Sequence, residues 1–257
     1  MTSSLQIDLN ADVAESFGAL GWGDAEPLFE AVTSANIACG LHAGGPEVIG
    51  ATIQAALRHG VKIGAHPSYD DRASFGRTPQ KPGAQALRCV LAYQLGALQA
   101  VAQTLGARLT HVKPHGALYN DSAKDATLAA AIAQAVAAFD PSLVLVGLAG
   151  SLAIAAAAAA GLRTASEAFC DRRYEADGSL RSREHADAVL RCSDEVAAQA
   201  LSIATQRRVR TVGGSAIDVQ AQTLCIHGDH PQAPATALQV RAALQAAGVS
   251  VRPFVDG

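Results

Sequence analysis

Apolar positions in this chain fall into two alternating rhythms. Short runs rich in β-branched residues or Leu, at 5–9, 32–39, 61–65, 109–112, 143–148, 162–165 and 223–227, have the length and composition of strands. Between them lie longer stretches with helical spacing, at 46–59, 83–105, 125–139, 151–160, 184–206 and 233–247. The punctuation agrees: Pro46 and Pro231 stand near helix starts, where a missing N–H does little harm, and Gly60, Gly106, Gly161 and Gly248 follow helix ends, where a left-handed turn is needed. Strand and helix in repeated alternation predict a parallel sheet. A closed barrel is favoured over an open, doubly wound sheet, because no GxGxxG follows the first strand and polar clusters follow many strands instead of converging on one switch point. The whole chain, 1–257, reads as one domain.

Composition narrows the kind of core and partner. With 49% hydrophobic but only 4% aromatic residues, the core is built from Ala, Val, Leu and Ile, which suits helices packed closely on a parallel sheet. A formal charge of -3 with scattered Lys and Arg gives no electrostatic footprint for nucleic acid. The first residues carry acids where a signal peptide needs a basic start and an apolar run, and no segment approaches the roughly 20 apolar residues of a membrane span. Five cysteines (Cys39, Cys89, Cys170, Cys192, Cys225) without CxxC spacing argue against a disulfide framework and a zinc ribbon. The expectation is a soluble, cytoplasmic protein whose partner is a small molecule or another protein.

Polar clusters follow almost every strand, at the edge where parallel α/β folds bind ligands. Asp8, Asn10 and Asp12 alternate onto one face of the first strand, where oxygen-bearing side chains can hold a hard cation or orient water; taken singly, each acid is as well explained by a cap or a turn. Glu15 follows. The second strand ends near Asn36, Cys39, Gly40, His42 and Gly44, just before the helix at Pro46, a setting that suits an anion. His66 closes the third strand and Arg77 lies in the loop beyond it. In HVKPHGALYN (111–120), Lys113 and His115 stand two apart in an extended segment, a fixed positive charge beside a base that titrates near neutrality; Tyr119 and Asn120 follow. His111 shares their parity but lies earlier in the strand, as a core histidine would. Glu167, Asp171, Arg172 and Tyr174, then Cys225, His227 and Asp229, complete the set. A lone strand histidine is more often structural than catalytic, yet four of the eight (His42, His66, His115, His227) occupy equivalent strand-end positions. His59, His185 and His230 read as surface residues, and Cys39 and Cys225 as small buried apolar ones. GxxxxGK[ST], GxSxG and HExxH are absent, which speaks against a P-loop, a serine-hydrolase elbow and a zincin.

Taken in order, DLNADVAESFG (8–18), TSANIACGLHAGGP (33–46), IGAHPSYDD (63–71), FGR (75–77), HVKPHGALYN (111–120), EAFCDRRY (167–174) and CIHGDHP (225–231) resemble the LamB/YcsF family over nearly the whole chain. The resemblance implies an irregular seven-stranded β/α (TIM-like) barrel of the glycoside hydrolase and polysaccharide deacetylase type. It also implies a place in a three-subunit bacterial enzyme that cleaves 5-oxoproline to L-glutamate while ATP is hydrolysed to ADP and phosphate. Partners are then 5-oxoprolinase subunits B and C, with ATP and magnesium as cofactors and homo-oligomerisation open. On this reading Asp12, His66, Lys113 and His115 are catalytic: Lys113, with Arg77, neutralises a phosphate or oxyanion, and His115 or His66 activates water. Asn10, Glu15, Asn36, His42, Arg77, Tyr119, Asn120, Glu167, Arg172, His227 and Asp229 bind substrate or phosphate, and Asp12 with Asp8 or Glu15 holds the magnesium ion or the ring nitrogen, Asp8 and Asp12 being the first choice for the metal. The chain departs from the family pattern at Ala14 and Ser68, where Gly is usual, at Leu41, where Phe is usual, and at Gly45, where an Asp is usual. Two other readings stay open: a metal-dependent, deacetylase-like hydrolase that needs no ATP, with Asp12 and two strand-end histidines as ligands, and a noncatalytic substrate-binding subunit.

Overall fold

The computed structural model describes residues 5–15, 26–227 and 231–255. In chain order the elements are β1 (Gln6–Val13), α1 (Glu26–Phe29), β2 (Ser34–Ala38), α2 (Pro46–Arg58), β3 (Lys62–His66), α3 (Ala84–Thr104), β4 (His111–Val112), α4 (Gly116–Ser122), α5 (Ala126–Phe139), β5 (Val144–Leu148), α6 (Leu152–Ala159), β6 (Arg163–Phe169), α7 (Ser193–Leu201), β7 (Arg208–Arg210), β8 (Ala216–Asp218), β9 (Thr223–His227), α8 (Ala233–Ala246) and β10 (Ser250–Val251). A π-helical turn, Ser202–Gln206, extends α7. Strands β1, β2, β3, β4, β5, β6 and β9 pair in parallel in that order, and β9 pairs back onto β1 to close a seven-stranded barrel. The seven apolar runs of the sequence are the seven barrel strands, so the TIM-like architecture expected from them is the one observed.

Register decides what fills the barrel. Asp8, Asn10 and Asp12 lie beside Thr223, Cys225 and His227 on one flank. On the other flank Asn10 and Asp12 lie beside Ser34 and Asn36, and the row continues through Gly64 to His111. Side chains alternate across a strand, so these positions share the lumen while Leu9, Ala11, Ile37, Ala65 and Val112 face the helices and are buried there. Fully buried parallel strands usually read as continuous apolar runs. Here the lumen of several strands is polar instead, and its groups must find their partners within the barrel.

At the N-terminal end of the lumen, Asp8 accepts hydrogen bonds from Thr33 Oγ1 (2.7 Å), Ser34 Oγ (2.6 Å) and the Thr223 hydroxyl. Above it, the Asn36 side-chain amide donates to Asn10 Oδ1 (2.7 Å) and accepts from His111 Nε2 (2.9 Å), while His111 Nδ1 meets Thr110 Oγ1 (2.9 Å). Both ring nitrogens of His111 are therefore satisfied in the core, and burial pushes its pKa down to about 3. The ring fits because Gly64 has no side chain: a Cβ there would overlap the imidazole.

Several connections were not legible in the sequence pattern. The helix expected over 184–206 begins only at Ser193, because Ser182, Arg183, Glu184 and His185 are all polar or charged and carry no apolar stripe to bury. The stretch before it runs across the barrel mouth instead, bridging Arg172 to Val189 and Tyr174 to Leu180. The β7–β8 hairpin, α1, α4 and β10 are likewise additions, β10 pairing with the start of β1. The helix-terminal glycines do take positive φ, from 67° at Gly60 to 81° at Gly161. No helix among the described residues is long and apolar enough to cross a membrane.

Two predictions test this interior. Gly64→Ala forces His111 off Asn36 and is expected to lower stability by about 1–3 kcal/mol in urea unfolding; a change under ~0.5 kcal/mol would show that the close approach is unimportant. Burial outweighs the three hydroxyl donors and raises the Asp8 pKa to about 6. A carboxyl whose folded pKa lies above its unfolded one contributes stability at low pH that is lost as pH rises from about 4 through about 6, on the order of 3 kcal/mol in all. Asp8→Asn should flatten that part of the stability–pH profile, and an unchanged slope would refute the assignment.

Candidate active site at the barrel mouth

The upper lumen is organised around one ammonium group. Lys113, just past β4, places Nζ 2.9 Å from Asp12 Oδ1, 2.8 Å from Glu167 Oε1, 3.4 Å from Asn10 Oδ1 and 3.1 Å from Cys225 Sγ. All four neighbours are buried, as is Lys113 itself. Burial alone would lower the lysine pKa, but Asp12, Cys225 and Glu167 carry it well above its usual value. Asp12 is held well below the carboxylate range: burial works against ionisation, and the charges of His66 and Lys113 overcome it. Asn36 Nδ2 adds a 2.8 Å bond to the same oxygen, Asp12 Oδ1. Burial raises the Cys225 pKa well above normal and that of Cys39 to about 12, so neither is a ready thiolate, in keeping with their reading as small apolar residues.

Three imidazoles gather beside this floor. His66, at the end of β3, bonds through Nδ1 to the Lys113 carbonyl (2.7 Å), and its Nε2 lies 3.4 Å from Asp12 Oδ2. His115 bonds through Nε2 to the Phe75 carbonyl (2.9 Å), and its Nδ1 lies 3.0 Å from His66 Nε2. His42 bonds through Nδ1 to Ser68 Oγ (3.0 Å) and stacks on His115 with ring centroids 3.9 Å apart. Glu15 Oε1 faces all three, at 3.1 Å from His115, 3.5 Å from His42 and 3.7 Å from His66. Burial lowers the pKa of His42 to about 3 and depresses that of His115, whereas the Asp12 charge lifts that of His66 against its burial. Burial works to raise Glu15, but the His115 and His42 imidazoles beside it keep it well below its usual value.

The backbone is strained where it aims these groups. Ala14 adopts φ 58° and Phe75 φ 56°, left-handed values that cost a residue with a Cβ roughly 1–2 kcal/mol. The first turns Glu15 towards the histidines; the second precedes the carbonyl that receives His115. The Gly usual at position 14 in the family would relax the first of these. Ser68, another departure, supplies the hydroxyl that anchors His42. Gly45 stands at the N-cap of α2, where no side chain caps the helix, and a Cβ there would meet nothing within 4 Å.

A second dyad stands across the mouth. His227, the last residue of β9, bonds through Nδ1 to both oxygens of Asp171 (2.9 and 3.0 Å), which also accepts the His227 backbone N–H (3.0 Å). Burial alone would raise the pKa of Asp171, and the His227 charge brings it below normal. Phe169 lies against the His227 ring, with centroids 5.6 Å apart. Ser68 and Thr223 are polar partners that the sequence reading left out of the site, and Asp171, which it grouped with the strand-end polar residues, was given no role. Asp171 opens the loop after β6, but only the closed barrel brings it to β9.

These groups open onto a cavity of about 550 Å³, lined by Asp12, Glu15, His66, Lys113, His115, Tyr119, Asn120 and His227 and rimmed by Arg77, Arg172, Arg181 and Arg183. Its volume falls within the range typical of small-molecule sites. The floor sets Asp12 and Glu15 beside Lys113 and the imidazoles, and of the rim arginines Arg181 is paired with Glu175 (3.0 Å) and Asp187 (2.7 Å). Arg172 reaches back to the Arg181 carbonyl (2.6 Å) and so ties down the loop that crosses the mouth. The Tyr119 hydroxyl faces Glu167 in the interior.

The structure brings together Asn10, Asp12, Glu15, Asn36, His42, His66, Lys113, His115, Tyr119, Glu167 and His227, with Asn120, Arg77 and Arg172 nearer the rim. Asp229 lies outside the described residues. Two expectations need correction. Asp8 and Asp12 cannot share an ion: they are four residues apart on one extended strand, about 13 Å along it, and Asp8 is occupied by hydroxyls. Lys113 is no open phosphate clamp either, since its three N–H directions are taken by the chain's own acceptors. Among the described residues, groups with metal-ligand spacing include Glu15, His42 and His115, and Asp12, Cys225 and His227; in the second the Lys113 ammonium already lies against Asp12 and Cys225.

Residues 7–256 match the family model described as LamB/YcsF. The chain belongs to the LamB/YcsF family. Similar relatives include a protein of Tolumonas auensis, 50% identical over 96% of this chain and 98% of its own length, and one of Bordetella pertussis, 51% identical over the same shares; both are named as the A subunit of 5-oxoprolinase. A crystal structure titled lactam utilization protein, from Thermus thermophilus, superposes with a TM-score of 0.90 at 43% identity, covering 97% of this chain and all of that one. The peptidoglycan deacetylase PdaC of Bacillus subtilis shares the fold alone, with a TM-score of 0.51 at 9% identity over 98% of this chain and 89% of that one.

The buried ion triad makes a direct prediction. Lys113→Met leaves Asp12 and Glu167 facing each other without a counter-charge and should cost about 3–5 kcal/mol in denaturant unfolding. Adding Glu167→Gln should recover part of that loss, and strict additivity of the two changes would show that the groups are not coupled.

Proposed function

We propose that this chain is the A subunit of an ATP-dependent 5-oxoprolinase, acting in the cytoplasm with the B and C subunits and contributing the site at which the lactam is opened. Support comes from the relatives and from one observation in particular: a cavity with ionised carboxylates and a carboxylate-oriented histidine on its floor and arginines around its rim. A five-membered lactam is a resonance-stabilised amide and resists water. Transfer of the ATP γ-phosphoryl group to the carbonyl oxygen, with ADP leaving, makes the ring carbon electrophilic. Water then adds to that carbon, and the C–N bond breaks with a proton delivered to nitrogen. The resulting acyl phosphate takes up a second water to give carboxylate and phosphate. ATP would enter as its magnesium complex; Asp8 and Asp12 stand too far apart to hold the cation between them.

The chain's own groups suit these steps. His227, fixed by Asp171 in the tautomer that leaves Nε2 for the cavity, accepts a proton from water and returns it to the departing nitrogen. The arginine rim attracts the substrate carboxylate and the phosphoryl group. Asp12 and Glu167, locked by Lys113, keep the floor anionic and its geometry fixed.

The test mixes the purified A, B and C subunits and measures glutamate release from 5-oxoproline with and without ATP. Turnover is expected only with ATP and all three proteins. Asp171→Asn should lower kcat about 10²–10⁴-fold with little change in KM, while assembly by gel filtration stays intact. If His227→Ala and Asp171→Asn retain full turnover, the catalytic reading fails; if they lose assembly instead, the chain has an organising role.

A further inference from the structure

The protonation states around Glu15 lead to a conclusion that stands apart from lactam chemistry. A carbonyl oxygen only accepts hydrogen bonds, so His66 Nδ1 and His115 Nε2, which meet the Lys113 and Phe75 carbonyls, both carry their hydrogens. Ser68 Oγ donates its one hydrogen to the Tyr69 carbonyl (2.7 Å), so His42 Nδ1 must be a donor as well. In the neutral rings, His66 Nε2, His115 Nδ1 and His42 Nε2 are then bare lone pairs. The first two face each other at 3.0 Å, and Glu15 Oε1 and Asp12 Oδ2 close around them. His42 Nε2 and Glu15 Oε1 are buried without a hydrogen-bond donor. With the rings neutral no donor lies among the acceptors gathered about this point, so it holds either a shared proton or a metal cation.

We infer that Glu15 Oε1, His66 Nε2 and His115 Nδ1 form a binding site for a borderline divalent transition metal of the zinc type. Their separations are 3.0, 3.1 and 3.7 Å. These bracket the roughly 3.4 Å between neighbouring ligands of a tetrahedral ion with bonds of about 2.0–2.1 Å. Asp12 Oδ2, 3.4 Å from His66 Nε2, is the candidate for a fourth ligand. The ring stacked on His115 cannot aim an in-plane lone pair at the same ion, so His42 forms the wall of the site. Both ligand histidines give their remaining N–H to a backbone carbonyl, the outer contact that fixes a metal-binding tautomer. Two imidazoles with one or two carboxylates suit zinc, nickel or cobalt better than magnesium, which takes oxygen ligands and keeps its waters.

The test uses the whole chain, made without a histidine tag and purified without chelator. Elemental analysis is expected to find close to one transition-metal ion per chain, and the stripped protein should bind zinc and cobalt(II) but not magnesium in calorimetric titration. Cobalt should give the visible bands of a four-coordinate nitrogen and oxygen site without a thiolate charge-transfer band. His115→Gln and Glu15→Gln should each weaken zinc by more than the ~10–100-fold carried by outer partners, with the fold checked by circular dichroism. His59→Ala, at a surface position, should leave binding unchanged. Absence of stoichiometric metal in the native chain would mean that a shared proton fills the site, and the inference would be overturned. A thiolate band from Cys225, equal affinity for magnesium, or undiminished zinc binding in folded His66→Gln/His115→Gln protein would each overturn it too. None of these readouts depends on 5-oxoproline, ATP or the other subunits.

Discussion

The Lys113 ammonium, buried between Asp12 and Glu167, is the contact on which the upper barrel depends. Taking these charges out of water is expensive, and only close pairing with further hydrogen bonds offsets the penalty. Asn10 and Asn36 supply those bonds, and each reaches another strand in doing so. Strands β1, β2, β4, β6 and β9 are thus joined through the lumen as well as through their backbones. An aliphatic core would have been the simpler way to fill this volume. A polar one restricts each side chain to a single arrangement, because every misplaced group would lose a partner in a low-dielectric interior.

That rigidity extends to the groups at the mouth. The backbone carbonyl of Lys113 fixes the tautomer of His66, so the residue that balances the carboxylates also orients an imidazole. Phe75 and Ala14 hold strained backbone angles that continue the same framework outwards to His115 and Glu15. Strain of this kind persists where surrounding structure over-determines it, and here the barrel wall does so on one side and the stacked His42 and His115 rings on the other. The site therefore combines an immobile floor of carboxylates, Lys113 and imidazoles with arginines at its rim.

Charge is arranged by depth. The innermost acid, Asp8, is bonded only by hydroxyls and titrates near pH 6, whereas Asp12 and Glu15, towards the mouth, stay ionised beside lysine and histidine. The difference arises from neighbours rather than burial, because all three carboxylates are shielded from water. Anionic chemistry is thereby confined to the end of the barrel that meets the cavity.

The sequence by itself determined the strand count, the parallel order and the side of the sheet on which chemistry lies, because strand period and glycine or proline punctuation are local properties of the chain. It also placed Asp8, Asn10 and Asp12 on one face and set His111 apart as a core residue. What tertiary structure decided were the partners. Asp171 reaches His227 across 56 residues, and Glu167 reaches Asn10 across 157, distances that only barrel closure spans. Position along β1 separated Asp8 from Asp12, and packing turned Lys113 from an open cation into an internal counter-ion. Local pattern specifies which way a side chain points; which group it meets depends on strands brought together from the far ends of the chain.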